Sequence, residues 1–175
     1  RLNGGLQRDA LQLLGGDAMV RSDGQIPAAF VEKAQALGLK TVSTVTFPTM
    51  ARARDEDGGA SKLVAFKGVP DGYPLRGSMT VATTLDSAGQ TTRDIPAPGT
   101  AWADASLLDS LGLKPGQLLL MGDARFTISR VIVQEPDRGA GFISFSPRVM
   151  INQLDVAATG LIQPASRTNY RFAVA

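Results

Sequence analysis

The apolar positions of this chain change period several times, and each change marks an element. Leu2, Leu6, Ala10, Leu13 and Leu14 fall three or four residues apart up to Gly15-Gly16. This spacing predicts an amphipathic helix over Leu2–Leu14 with a glycine stop. Asp17–Ser22 (DAMVRS) reads as a short strand. Pro27 then opens a helix, where its missing N–H costs nothing. Phe30, Val31, Ala34 and Leu37 form its apolar stripe, and Gly38 supplies a left-handed stop. Leu39–Phe47 is rich in β-branched residues and predicts a strand. Strand, helix and strand in that order make a βαβ-like unit.

Two more strands, Met50–Arg54 and Lys62–Val69, flank the polar loop Asp55-Glu56-Asp57-Gly58-Gly59. An EF-hand would need a ligand where Gly59 stands and a distant Glu, so the loop reads as a solvated turn. Asp71–Gly77 is a turn-rich connector. Asp86–Thr100 carries many Gly, Pro, Ser and Thr residues and predicts an exposed loop or loose hairpin. Trp102 reads as a core anchor; contact with lipid headgroups is the lesser alternative, because one residue makes no aromatic belt. Asp104 is placed as an N-cap for a helix with Leu107, Leu108 and Leu111 as its stripe, ended by Gly112 and Pro115.

Leu118–Met121, the turn Gly122-Asp123 and Phe126–Val133 predict a β-hairpin, with Val131-Ile132-Val133 buried on both faces. Phe142–Ile151 reads as a strand. Asn152 caps a short third helix, with Asp155 three residues on and Gly160 at its end. Asn169–Val174 is the last strand. Helices that stop at glycine and strands that come in hairpins agree on a compact α+β domain.

Composition narrows the chemistry. The 175 residues, 43% of them hydrophobic, suffice for one core and one domain, with room for two lobes. Eighteen basic residues against 16 acidic ones leave a net charge of +2. The cations are scattered and aromatic residues make up 6%, which argues against a nucleic-acid partner. The chain has no Cys and no His. That removes Ser-His-Asp and Cys-His catalysis, the usual zinc ligands and the commonest general acid–base group.

An enzyme would therefore have to use carboxylates, Lys, Ser or a hard metal. Asp17, Asp123, Glu135 and Asp137 are the candidates for paired-carboxylate hydrolysis. They fall at turns or strand ends, where acids are usually solvated or capping. Glu135-Pro136-Asp137-Arg138-Gly139 reads first as a turn with a local Asp–Arg contact. Ser-x-x-Lys, Walker A and Gly-x-Gly-x-x-Gly patterns are absent, and no cofactor or metal is expected. A soluble carboxylate-based hydrolase and a free-standing β-rich adaptor stay open as alternatives, the latter because Gly116–Val133 would suit a small barrel. No apolar run approaches the roughly 18 residues that span a bilayer. Both ends read as cut from a longer protein.

Several distinctive runs follow one another along the chain. They are Gly15-Gly16-Asp17, Phe47-Pro48-Thr49-Met50-Ala51, Tyr73-Pro74-Leu75-Arg76-Gly77 and Leu111-Gly112-Leu113-Lys114-Pro115-Gly116-Gln117. Toward the end come Glu135-Pro136-Asp137, Ser146-Pro147-Arg148-Val149, Thr159-Gly160-Leu161-Ile162-Gln163-Pro164, Ser166-Arg167 and Tyr170-Arg171. Together they resemble the extracytoplasmic domain of FtsX-like permeases of MacB-type ABC transporters, within the YbbP-like group. Gln117 departs from the family pattern, which has Asp there.

The resemblance implies a MacB-like periplasmic core domain: a porter-like split βαβ lobe with an inserted β-rich lobe. It implies a juxtamembrane stalk helix at 1–14, a porter-like first half at 15–70, the inserted lobe at 71–137 and the second half at 138–175. As a stalk, Leu2–Leu14 competes evenly with an ordinary docked helix. The resemblance further implies a bacterial inner-membrane permease rather than an enzyme, with this domain on the periplasmic side. Its partner would be a cytoplasmic ABC ATPase, and its cargo hydrophobic or envelope-associated. A periplasmic esterase is a further implied partner. The loop Asp86–Thr100 is the weakly marked candidate for partner or substrate contact.

Overall fold

A computed structural model of the chain describes residues 12–14, 17–22, 28–136, 146–161 and 169–174. In chain order the elements are β1 (Gln12–Leu14), β2 (Asp17–Ser22), α1 (Ala28–Ala36), β3 (Thr41–Ala53) and β4 (Ser61–Val69). Then come β5 (Met79–Ala82), β6 (Gln90–Thr92), β7 (Thr100–Asp104), α2 (Ala105–Leu111), β8 (Leu118–Met121) and β9 (Ala124–Gln134). β10 (Arg148–Asn152), two 3-10 turns (Gln153–Asp155 and Ala157–Thr159) and β11 (Asn169–Val174) complete the set.

The predicted βαβ unit is present in split form. β2 and β3 run parallel, but β11 lies between them and is antiparallel to both. The two strands that the sequence suggests on either side of Pro48 are one strand, β3. On one side β3 pairs with β11 through Thr41–Thr46 and with β8 through Ala51–Ala53. On its other side it pairs with β4. Pro48 stands opposite Ala65, whose N–H donates away from β3, to the Pro147 carbonyl at 2.8 Å. The Pro48 nitrogen therefore faces the gap between β11 and β8, where no ladder donor is needed. That is why a proline sits inside a central strand without breaking it.

The pairings close on themselves. β3 bonds β4, β4 bonds β10, β10 bonds β7, β7 bonds β9, β9 bonds β8, and β8 returns to β3. Closure leaves this ring without free edges. Alternating residues of its strands point inward. Phe47, Val64, Phe66, Ala101, Phe126, Ile128, Val149 and Ile151 form an apolar cluster with Leu107, Leu108 and Leu111 of α2. Gly112 at φ 67° ends α2, its N–H bonded to the Leu108 and Asp109 carbonyls. The outer wall carries a second cluster, in which Trp102, Tyr73, Met79, Ile132 and Met150 meet. Trp102 is thus a core anchor.

Several local expectations need correction. Gln12–Leu14 is a strand paired with β2, not the end of a helix; residues 1–11 of that expected helix lie outside the described residues. Leu37 is 67% exposed rather than part of the buried stripe of α1, and Val133 is 56% exposed rather than buried. In the strand expected over Phe142–Ile151, residues 142–145 lie outside the described residues and β10 begins at Arg148. The helix after Asn152 is two 3-10 turns, although Asn152 caps as expected, its Oδ1 accepting the Leu154 N–H at 3.0 Å.

One glycine shows how the ring meets those turns. Gly122, at φ 55°, lies so close to the Thr159 carbonyl that a Cβ there would clash with backbone. The next residue, Asp123, donates its N–H to the same carbonyl at 2.9 Å. The Gly-Asp dipeptide therefore serves a close approach as well as the hairpin turn.

Candidate functional site

The chemistry on the outer wall of the ring comes from strand alternation. Phe66 points into the ring, so its neighbour Lys67 points out; Val149 points in, so Arg148 points out. Both cations meet the carboxylate of Glu135, just beyond the end of β9. Lys67 Nζ lies 2.9 Å from Glu135 Oε2, and Arg148 Nε lies 2.8 Å from Oε1. The three side chains are almost wholly buried, at 1%, 2% and 0% exposure. Lys67 also donates to the Tyr73 hydroxyl at 2.8 Å, and Arg148 Nη1 to the Ala65 carbonyl at 3.3 Å. The Arg148 backbone N–H donates to Asp104 Oδ2 at 2.7 Å. That bond accounts for Asp104: it occupies the N-cap position of α2 but makes no cap hydrogen bond with its side chain.

Burial alone would push the Glu135 carboxyl upward. The attraction of Lys67 and Arg148, with their hydrogen bonds, outweighs it and holds the group at about 2 instead of 4.5. Glu135 is thus a fixed anion between two cations, with both oxygens engaged. Such a cluster resists disruption strongly, because removing one member leaves an uncompensated buried charge. It also joins distant stretches of sequence: Lys67 and Glu135 are 68 positions apart, Glu135 and Arg148 only 13.

Two of the carboxylate candidates, Asp123 and Glu135, do not assemble as a hydrolase pair. Asp123 precedes β9 and Glu135 follows it, so eleven strand residues separate them. At about 3.3 Å per residue that is on the order of 30 Å or more, whereas glycosidase pairs sit roughly 5–10 Å apart. Asp17 opens β2, and Asp137, with the local Asp–Arg contact expected of it, lies outside the described residues. Glu135 is not a solvated turn acid but the centre of the ion cluster. Among the described residues no three acids gather as a metal cage.

The loop Asp86–Thr100 is exposed over much of its length but is not loose. It contains β6, paired with β5. Arg93 donates to the carbonyls of Gly77 (3.1 Å), Pro74 (2.9 Å) and Leu75 (3.3 Å). Farther on, Asn152 Nδ2 bonds the Pro96 carbonyl at 3.1 Å, and the Gly99 N–H bonds Asp155 Oδ2 at 2.7 Å. Beside Arg93 opens a groove of about 1130 Å³, lined by Leu39, Lys40, Thr41, Leu75 and Arg76 among others.

No family model matches the chain. An uncharacterized ABC transporter permease, YbbP of Escherichia coli (strain K12), is 34% identical over 172 residues, which is 98% of this chain and 20% of that protein. The chain is a homologue of YbbP over nearly its whole length. It spans about a fifth of YbbP. The fold has solved counterparts. The extracellular domain of YknZ, a noncanonic ABC-type transporter from Gram-positive bacteria, matches with a TM-score of 0.55 at 14% identity, over 82% of this chain and 71% of that one. A domain of a Porphyromonas gingivalis protein described as a permease gives 0.53 at 13% identity, over 88% and 68%. The chain thus shares its α+β fold with the extracellular domain of YknZ. No helix among the described residues is long and apolar enough to cross a membrane.

Sequence reasoning gave Lys67 no role and noted Arg148 only within the Ser146-Pro147-Arg148-Val149 run. A signal existed: each is a lone cation at a position flanked by strand-forming apolar residues (Phe66 before Lys67, Val149 after Arg148), where alternation permits burial only with a partner.

Proposed function

We propose that this chain is the extracytoplasmic domain of an ABC transporter permease in the bacterial inner membrane, facing the periplasm. It couples ATP hydrolysis by a cytoplasmic ABC ATPase to export or extraction of a hydrophobic or envelope-associated substrate, or to engagement of a periplasmic partner such as an esterase. The observation that carries this reading is the 34% identity to the YbbP permease along 98% of the chain. The physical requirement is a body that passes on displacement without deforming. A closed, densely packed ring meets it, and the ion cluster ties the segments entering and leaving that ring. The role is mechanical and not enzymatic, as both Glu135 oxygens are committed to Lys67 and Arg148.

In this reading 15–70 and 138–175 are the two halves of a porter-like lobe and 71–137 is inserted between them, sharing one sheet. Residues 1–14 lead to the membrane as a stalk, whose last residues join the sheet as β1. The pinned loop Asp86–Thr100 is the partner-facing segment, and replacing its exposed tip by Gly-Ser lowers capture of the periplasmic partner. In the test of function, the full-length permease is tagged and purified from membranes. The ABC ATPase copurifies, and three glycines inserted after Leu6 leave ATP hydrolysis intact while abolishing transport. Absence of the ATPase from the purified protein overturns the permease reading; transport at the normal rate in the insertion variant overturns the stalk.

A further inference from the structure

The turn between α1 and β3 combines features that no packing requirement explains. Leu37 is 67% exposed and Leu39 37% exposed, on either side of Gly38 at φ 75°. Neither leucine is held by the core. The turn's backbone is nevertheless satisfied internally: the N–H groups of Leu37, Gly38 and Leu39 bond the Lys33, Gln35 and Ala34 carbonyls at 3.1, 3.0 and 3.0 Å. Such a turn can leave water without exposing an unpaired amide. Cations surround it. Lys33 lies in the last turn of α1, Lys40 follows the leucines, and Arg76 and Arg93 line the adjoining groove. Two exposed acids accompany these cations: Glu32 on α1, and Asp71, which precedes the groove-lining Gly72. Two apolar tips flanked by basic side chains are the pattern of a surface that rests on anionic headgroups, the leucines entering the acyl boundary and the lysines staying among the phosphates.

Its place in the sheet fits. Val174, the last residue of β11, pairs with Thr41 on one side and Ala18 on the other, so β11 ends directly beside Lys40. In the permease reading, on which this inference rests, the chain runs on from there toward the membrane. We propose that the Leu37–Lys40 turn and the adjoining basic groove form a membrane-facing foot that binds the headgroup layer of an anionic phospholipid bilayer.

The test is vesicle flotation with the 175-residue chain, using phosphatidylcholine vesicles with and without 30% phosphatidylglycerol. The chain floats with the phosphatidylglycerol vesicles. Binding falls roughly tenfold or more in Lys33→Glu/Lys40→Glu, and by a similar factor in Leu37→Ser/Leu39→Ser. Both variants keep the Trp102 fluorescence and circular dichroism of the natural chain, since the changed side chains are exposed. Several results overturn the proposal: no flotation, equal flotation with phosphatidylcholine alone, or variants that bind as tightly as the natural chain. Two more do so: binding displaced by millimolar inorganic phosphate at constant ionic strength, which marks a soluble-anion site, or a leucine-dependent dimer that ignores vesicles. ATPase copurification does not depend on these outcomes, so a failed foot leaves the permease reading standing.

Discussion

The two faces of β4 and β10 differ sharply. Toward the ring interior they present Phe66, Val149 and Ile151, which pack into the apolar cluster. Toward the outside, one residue away, they present Lys67 and Arg148, equally buried and held by Glu135. The inner face is stabilised by area and shape, so losing one member costs in proportion to what is removed. The outer face is held by balance, so losing one member changes the character of the rest. A strand register that is permissive toward apolar exchange on one side is intolerant, on the other, of any single change within the ion cluster.

The largest effect expected from breaking this contrast is at Glu135. Glu135→Gln leaves two cations buried against a neutral amide and lowers stability by about 4 kcal/mol in urea unfolding. Lys67→Met/Glu135→Leu/Arg148→Met together stay within about 1 kcal/mol of the natural chain, because no charge is left unpaired. A triple variant as unstable as the single one would refute the balance argument. Leu108→Ala on the inner face costs about 3 kcal/mol, and adding it to Glu135→Gln is additive if the faces act independently.

Acid should separate the faces without mutation. The Glu135 carboxyl is lowered from 4.5 to about 2, so its contribution is complete above the unfolded value. It fades as pH falls from about 4.5 toward 2, by about 3 kcal/mol in total. Stability measured across that window falls in the natural chain and much less in Glu135→Gln. The smallest effect is at the surface. Arg52 and Asp55 pair at 3.0 Å but are 46% and 89% exposed, and Arg52→Ala changes stability by about 0.5 kcal/mol or less.

How much of this was legible differs between the two faces as well. Leu118–Met121, the Gly122-Asp123 turn, the Leu107–Leu111 stripe and the strand Asn169–Val174 follow from periodicity and punctuation, which act within a few residues. The inner core follows from the same alternation. The ion cluster does not, because Glu135 meets Lys67 across 68 positions, and a local reading sees only a Glu-Pro turn. Ring closure was hidden for the same reason: β10 beside β4 and β11 between β2 and β3 are long-range choices. Pro48 misled in the other direction. A proline divides a strand in local terms, and only the gap between β11 and β8 makes it harmless. The ordered runs from Gly15 to Arg171 carried the family resemblance where local physics was silent.

In the proposed role the domain passes on displacement as one body, and a single packed unit unfolds in one cooperative step. Trp102, the chain's single tryptophan, sits on the outer wall between β9 and β10, so its fluorescence reports the outer face, while far-ultraviolet circular dichroism reports the whole sheet. Equilibrium urea unfolding followed by both probes on the natural chain is the most direct measurement. Coincident transitions with one midpoint are predicted. A Trp102 transition well separated from the loss of strand signal would show lobes that yield independently, and would contradict the rigid-body account.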